Sequence, residues 1–500
     1  MRYRSFLQII LLSSLLLSCV DDDSESGGVA FPEVSISGSN SSTMQVVSVD
    51  LGQTCTITPD LIFANGCQAS DLKYEWSVGT YNTESGSKGN LEKVSTEPVF
   101  SYIFPEGGSY YVHLKVNNGL SGDVIDYQVN VDRSFEEGIV IAAIDESGKG
   151  NVSFIKTLSE DEIAAGKVQN VLEHCVASMN EDIDMTGLLG AGTTMLAYGS
   201  SVRSFIVALK DKAYLLDPST FALRSTSNYS EAIEGFEASS FFMYDYYGAQ
   251  PTAFDKTKKR MIQIQREFGY AFVPTTLPAY QNEYDALIPG YTYFTSRDWY
   301  MSSPIFINYS TSELTNIGNS ALTWTLTDRT ILSAFKNTVQ NSPDLYCIAL
   351  DENDPNIVYQ VNCNYEYNED WSIKMVYKEM SHTIAPGEVL PEKGSEFCYD
   401  KTFLTCYYIV DGKLYAYFPL NTTLSFPTSP VLALNGEQIT SVSLNEASKE
   451  LYVGAYNTST KRGSVYIYSS DAMKTNPQPK KSFVSCTDKV LSISYKKRSL

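Results

Sequence analysis

From residue 137 to residue 500 the chain keeps returning to one device. An apolar strand leads into a turn carrying Asp and Lys, a second apolar strand follows, and the exit is polar or contains Pro. Val207–Leu223 (VALKDKAYLLDPSTFAL) and Tyr408–Phe426 (YIVDGKLYAYFPLNTTLSF) show it most cleanly, and Leu451–Tyr468 (LYVGAYNTSTKRGSVYIY) repeats it with a longer turn. Weaker copies run over Gly138–Ile155, Met261–Val273, Ile305–Leu326 and Tyr346–Val361. Short apolar runs bounded by turn residues are the mark of strands, and no stretch here keeps a helical period over any length. Roughly seven such units of about 50 residues each match the repeat length of four-stranded blades set around an axis. The pattern therefore predicts an all-β fold whose rear part, 137–500, is a β-propeller of seven blades. Six or eight blades are the alternatives, and a large all-β domain with merely similar hairpins is the plainer reading. Val490–Tyr495 reads as a lone strand, and the hairpin opening at Ile139 lacks a strand before it. The two are expected to pair, which removes two open edges.

Ahead of this region, residues 30–134 read as a separate β domain. Tyr74, Trp76 and Val78 share one face of a strand, and Tyr110, Val112, Leu114 and Val116 alternate strictly after the Gly107-Gly108 turn. Val124–Val131 alternates again beyond Asn117-Asn118-Gly119. Period two with one wet face is the code of a β-sandwich, and about a hundred residues around a central Trp suit the immunoglobulin-like kind. Cys55 and Cys67 bracket a short polar loop in this domain and are a candidate disulfide. Cys347/Cys363 and Cys398/Cys406 are further candidates within hairpins, with buried free thiols as the alternative.

The N-terminus reads as a processing segment. Arg2 and Arg4 precede an apolar run, Leu7–Leu17, too short to span a membrane comfortably. Residues 1–18 are a lipoprotein signal peptide on this reading, ending in Leu16-Leu17-Ser18-Cys19, with the Cys19 thiol as the lipidation site. Residues 19–29 follow as a short tether, acidic through Asp21-Asp22-Asp23 and Glu25. A net charge of −21 with scattered Lys and Arg argues against a nucleic-acid surface. The dense basic clusters, Lys258-Lys259-Arg260 and Lys496-Lys497-Arg498, read as a solvated turn and a terminus.

Tyr74-Glu75-Trp76, Tyr102-Ile103-Phe104, Gly108-Ser109-Tyr110-Tyr111-Val112-His113-Leu114 and Asn118-Gly119 resemble the polycystic-kidney-disease-type (PKD) sandwich domain. The Gly-Asp-Gly turn usual after the Trp strand is replaced here by Gly79-Thr80-Tyr81 and a polar loop, so this copy is divergent. With the lipobox and acidic leader, the chain resembles PKD-like surface lipoproteins of Bacteroidota. That resemblance implies a lipid anchor in the outer membrane, facing outward. It also implies an uptake system of a TonB-dependent (SusC-like) barrel and a SusD-like lid lipoprotein of the starch-utilisation type, with a glycan or a peptide as cargo.

Catalytic grammar is sparse. Three histidines, His113, His174 and His382, leave little for a zinc protease or a serine hydrolase, and no phosphate-cradling glycine loop occurs. No catalytic residue, metal site or cofactor is assigned. Asp182 and Asp184 read as an acidic loop, and the Asp145–Gly150 turn lacks the spacing of a calcium loop. Acidic residues are plentiful, so a carboxylate-pair glycoside hydrolase stays as an alternative to a non-enzymatic role, as does a purely structural assembly protein. Aromatics are the stronger signal, with 35 tyrosines. Patches at 244–248, 291–300 and 365–371 mix Tyr and Trp with acids, Asn and Gly, which suits loops that present a flat apolar face with a polar tip. Trp299 and Trp371, with Tyr246, Tyr247 and Tyr300, are the ligand-binding candidates.

Overall fold

The computed structural model describes residues 30–498 except 51–53, 84, 106, 133–134, 165, 167, 181, 196–202, 243–250, 267–271, 277–285, 288–304, 317–322, 337–344 and 476. Two compact units divide the chain, Met1–Asp132 and Arg133–Leu500.

The first unit is built on a five-stranded sheet. Its strands, in spatial order, are Gln45–Asp50, Gly122–Asp132, Gly108–Asn117, Lys73–Thr80 and Glu92–Ser95. Alternation in the sequence becomes burial here: Val112, Leu114 and Val116 are sealed, while Lys115 between them is exposed. Trp76 is fully buried, with its indole N–H donating to the Glu97 carbonyl at 2.8 Å and its ring 5.2 Å from that of Phe100. Satisfying that N–H is what lets so large a side chain sit in the core without a desolvation penalty. His113 pairs directly with Asp126 across the strands, Nδ1 to Oδ1 at 2.7 Å, which is a structural role.

The second layer of the immunoglobulin-like sandwich expected here is split. Facing the five-stranded sheet are two separate two-stranded ribbons, Glu33–Ile36 with Leu61–Ala64 and Thr54–Ile57 with Phe100–Ile103. The edge pair Gln45–Asp50 with Gly122–Asp132 is parallel. Alternation reported the buried faces correctly, but it carries no information on which strand neighbours which. The Cys55–Cys67 bridge is also corrected: both are free, buried thiols. Cys55 lies on one ribbon and Cys67 in the turn leaving the other, so the segment between them is no closed hairpin. Asn118 Nδ2 reaches Cys67 Sγ at 3.4 Å instead.

In the second unit, one local rule recurs from hairpin to hairpin. An Asp or Asn side-chain oxygen accepts the backbone N–H groups two and three residues on: Asp217 from Ser219 and Thr220, Asp255 from Thr257 and Lys258, Asn308 from Ser310 and Thr311. Asp400 does the same to Thr402 and Phe403, and Asn457 to Ser459 and Thr460. Four residues after each of these stands a left-handed residue, Phe221, Lys259, Ser312, Leu404 or Lys461, with φ between 52° and 59°. A non-glycine residue there costs about 1 kcal/mol or more, offset by the two hydrogen bonds that hold the turn. This turn is what the eye catches in the sequence as a recurring polar break.

The turns connect seven small antiparallel sheets, six of four strands and one, Cys398–Asp400 with Thr405–Val410 and Lys413–Tyr417, of three. The seven-bladed β-propeller expected from the repeat is corrected by this topology. Among the described residues the whole chain forms ten separate sheets of two to five strands, each open at both edges, and none is closed on itself or strongly curled. The fold that stands is all-β, made of separate small sheets. Hairpin signals fix pairing between neighbours in sequence; they do not fix how one sheet is placed against the next.

The terminal strand does pair as expected. Lys489–Lys496 lies antiparallel to Gly138–Ile144, with Ile493 opposite Ile141 and a bulge between Ala142 and Ala143. Val490 and Ile493 enter a core shared with Ile139, Ile141 and Ile155 of the same sheet and Tyr452, Val465 and Ile467 of the last. Lys496 is buried and donates to the Glu136 carbonyl at 2.5 Å.

The other candidate disulfides fail on register. Cys347 sits opposite Val361, and Cys363 opposite Leu345, so the two thiols are diagonal neighbours in one core. Diagonal pairs lie about 7 Å or more apart at Cα, beyond the usual reach of a disulfide. Cys398 is opposite Tyr407 while Cys406 is opposite Tyr399, so these two point to opposite faces and into different cores.

Candidate docking site at the tip of a long hairpin

The fifth sheet of the second unit carries its longest hairpin. Ile357–Tyr367 and Ile373–Thr383 pair over their whole length, from Ile357 opposite Thr383 to Tyr367 opposite Ile373. The inner neighbour, Leu345–Asp351, pairs with the first of these strands from Val358 to Cys363. From there the two strands of the hairpin stay paired with each other as far as Tyr367 and Ile373.

Several groups hold this hairpin. The Trp324 indole N–H donates to the Asn364 carbonyl at 2.9 Å. The Gln360 side chain donates to the Pro419 carbonyl at 2.9 Å and accepts from the Tyr417 hydroxyl. At the far end the Arg329 guanidinium lies 3.6 Å from the Tyr359 ring centroid and pairs with Asp351 at 3.4 Å and Glu379 at 3.1 Å. Val361 and Cys363 bury one face of the hairpin in a core shared with the fourth sheet, and Val358 enters the core shared with the sixth.

At the tip the chain turns through Asn368–Ser372. Asn368 N–H donates to the Ser372 carbonyl at 2.8 Å, and Trp371 N–H to the Asn368 carbonyl at 3.0 Å. The Asp370 carboxylate accepts the Ser372 N–H at 3.0 Å and its hydroxyl at 2.6 Å, and these bonds hold the Asp370 carboxyl below the usual carboxylate range. Trp371 is thereby left 81 % exposed, with the Tyr367 ring 6.3 Å away and tilted by 56°. Five hydrogen bonds tie the turn that carries it. Tyr377 is 50 % exposed and lies on the same face as Tyr367, because the register puts it opposite Cys363. The sequence reading missed Tyr377; the signal was its odd-numbered spacing on the strand opposite Tyr367, legible only once the turn is placed.

Of the ligand-binding candidates, Trp371 alone falls in described structure. Tyr246 and Tyr247 lie within 243–250, and Trp299 and Tyr300 within 288–304, outside the described residues; Cys19 lies outside them too.

In two depressions among the described residues the carboxylates are engaged with neighbouring groups. One of about 360 Å³ is lined by Glu237 and Asp255 with Lys210, Lys256 and Lys258. Asp255 there accepts the N–H groups of Thr257, Lys258 and Glu237, and Glu237 lies 3.7 Å from Lys210. Another, of about 450 Å³ beside the Asn117–Gly122 turn, contains Asp123, which accepts the Ile36 and Val124 N–H groups. Asp184 bonds to the Thr186 N–H and hydroxyl, and Asp145 to its own turn. No group of three or more His, Cys, Asp or Glu side chains converges among the described residues. Among the same residues, no helix is long and apolar enough to cross a membrane.

No known family profile matches the chain, and no curated protein matches it. Solved structures are similar to the chain at low identity. A quinonprotein alcohol dehydrogenase-like protein of Bacteroides thetaiotaomicron is similar over 91 % of this chain and 95 % of its own, at 17 % identity and a TM-score of 0.42. The periplasmic gluconolactonase of Pseudomonas aeruginosa is similar over 72 % of this chain and 98 % of its own, at 8 % identity and a TM-score of 0.43. Likeness at these values lends neither activity to this chain.

Proposed function

We propose that the chain is a non-enzymatic lipoprotein, anchored in the outer membrane through Cys19 and facing the cell exterior. There it acts as an accessory capture or docking component of a TonB-dependent nutrient uptake system. The anchor and the partners rest on the leader sequence and on the resemblance to PKD-like surface lipoproteins. One observation carries the contact role: a hairpin held by hydrogen bonds to neighbouring segments turns through a tryptophan left 81 % exposed. Exposed Trp and Tyr are the residues that dominate binding energy at protein surfaces, because they bury much apolar area for few rotatable bonds.

Two measurements test this. Acyl labelling of cells should mark the wild-type protein and not Cys19→Ala. Affinity isolation of the acylated protein from outer membranes, read by mass spectrometry, should recover a barrel-type transporter together with a lid lipoprotein. Recovery of the acylated chain with no such barrel refutes the uptake role, and an unlabelled wild-type chain refutes the anchor.

A further inference from the structure

We infer that the Asn368–Ser372 tip docks a basic polypeptide segment, with an Arg or Lys side chain laid on the Trp371 ring. The inference rests on the contact role proposed for this tip, and it names what the tip contacts.

Shape excludes one class of occupant. Small ligands are held in concave sites that cover most of their surface. Here the ring stands 81 % exposed at the turn of a long hairpin, so no concave site encloses it. Such a feature covers one side of its partner and suits an extended chain better than a compact sugar.

Charge selects within the remaining class. Glu366, Glu369 and Asp370 surround Trp371 in sequence, all exposed. None of the three has an ion-pair partner among the described residues. Lys374 faces Glu366 across the ribbon and offsets one charge of the three. Asp370 commits one oxygen, Oδ1, to Ser372 and keeps the other open. An electron-rich indole face flanked by carboxylates attracts a cation on both counts, through the ring quadrupole and through the charges. A guanidinium is the best match, because it is planar, weakly hydrated and able to stack while donating sideways.

The test uses the full chain and two probes, with binding read by isothermal titration calorimetry. The first probe is a nonapeptide of alternating Arg and Ser, and its Lys-free, Arg-free control carries Gln in place of Arg. The second is maltohexaose, a neutral saccharide. The Arg peptide should bind and the Gln peptide should not. Trp371→Asn, which suits a left-handed backbone and so keeps the tip folded, should weaken Arg-peptide binding by about fivefold. Asp370→Asn with Glu369→Gln should weaken it by a similar factor, and raising salt should shrink that difference. Glu352→Gln, an exposed carboxylate at the opposite end of the same sheet, controls for general attraction to an acidic protein and should change nothing. Arg-peptide binding that is unaffected by Trp371→Asn, or weakened equally by Glu352→Gln, overturns the inference. Maltohexaose binding that Trp371→Asn abolishes, without Arg-peptide binding, overturns the basic partner and leaves the contact role of the tip standing. If neither probe binds, while the outer-membrane isolation still recovers the barrel and does so equally with Trp371→Asn, the tip has no contact role and both readings of it fall.

Discussion

A single methyl group added at Gly454 should force the closing strand away from the last sheet. A Cβ built at Gly454 lies 2.5 Å from Val490 Cγ1, 3.0 Å from Val490 Cβ and 3.2 Å from Ile493 Cδ1. Carbon atoms prefer a separation of about 3.5–4.0 Å, so the overlap with Cγ1 is close to 1 Å. Val490 has little room to yield, being buried and fixed by its pairing with Ala143. Gly454→Ala should therefore cost about 1–3 kcal/mol by overpacking. Val490→Ala removes two buried methyl-sized groups and should cost about 1.5–2.5 kcal/mol. In the double variant the new methyl enters the space that Cγ1 leaves. Its cost should be close to that of Val490→Ala alone, giving a coupling of about 1–3 kcal/mol. Urea unfolding of the full chain, followed by far-UV circular dichroism, reads these differences as midpoint shifts at unchanged slope. Additivity within about 0.5 kcal/mol would refute the contact between the terminal strand and the last sheet.

Three further outcomes follow from the described geometry. Burial by itself would push the Glu388 carboxyl up, but the Phe426 and Ala385 N–H groups and His382 outweigh it and hold the carboxyl below its ordinary value. With the side chain only 5 % exposed, Glu388→Gln should cost about 1.5–3 kcal/mol at neutral pH. A depressed carboxyl stabilises the fold above its unfolded value and loses that contribution as pH falls through the folded value. The gap between variant and wild type should thus narrow below about pH 4, and a gap constant from pH 7 to pH 3 would contradict the assignment. Leu404, 37 % exposed with φ of 52°, is a poor fit to its left-handed turn position; Leu404→Asn should raise stability by about 0.5–1 kcal/mol, seen as a higher Tm. The eight cysteines from Cys55 to Cys486 are free and six are buried, so a thiol reagent should leave most of them untouched until urea is added. Burial also pushes the Cys398 thiol up to about 12 and the Cys486 thiol up to about 11, slowing even the two less covered ones. Reducing agent should leave the unfolding midpoint where it is, and a fall in the midpoint would reveal a disulfide.

Much of the local structure could be read from residue order. Strict alternation at Tyr110–Val116 marked a strand with a sealed face, and Trp76 marked the core of the first unit. The Asp or Asn that opens each turn marked hairpins, because a side-chain oxygen accepting two backbone N–H groups needs nothing beyond its own neighbours. Trp371 was legible as a tip residue for the same reason, with Asn368, Asp370 and Ser372 closing its turn locally. Cysteine spacing misled, since Cys398 and Cys406 are close in sequence yet face opposite sides of their sheet.

Sequence by itself determined the all-β character, the hairpins and the pairing of the last strand with the first hairpin of the second unit, since each depends on alternation, turn chemistry or an edge in need of a partner. Tertiary structure alone decided which faces share a core and where a sheet stops. It decided, among the described residues, that two ribbons rather than one sheet cover Trp76, that seven open sheets replace the closed ring expected of the second unit, and that the turn of the 357–383 hairpin leaves Trp371 in water. Those outcomes depend on contacts between residues far apart in the chain, whose entropy of closure and packing no local pattern encodes.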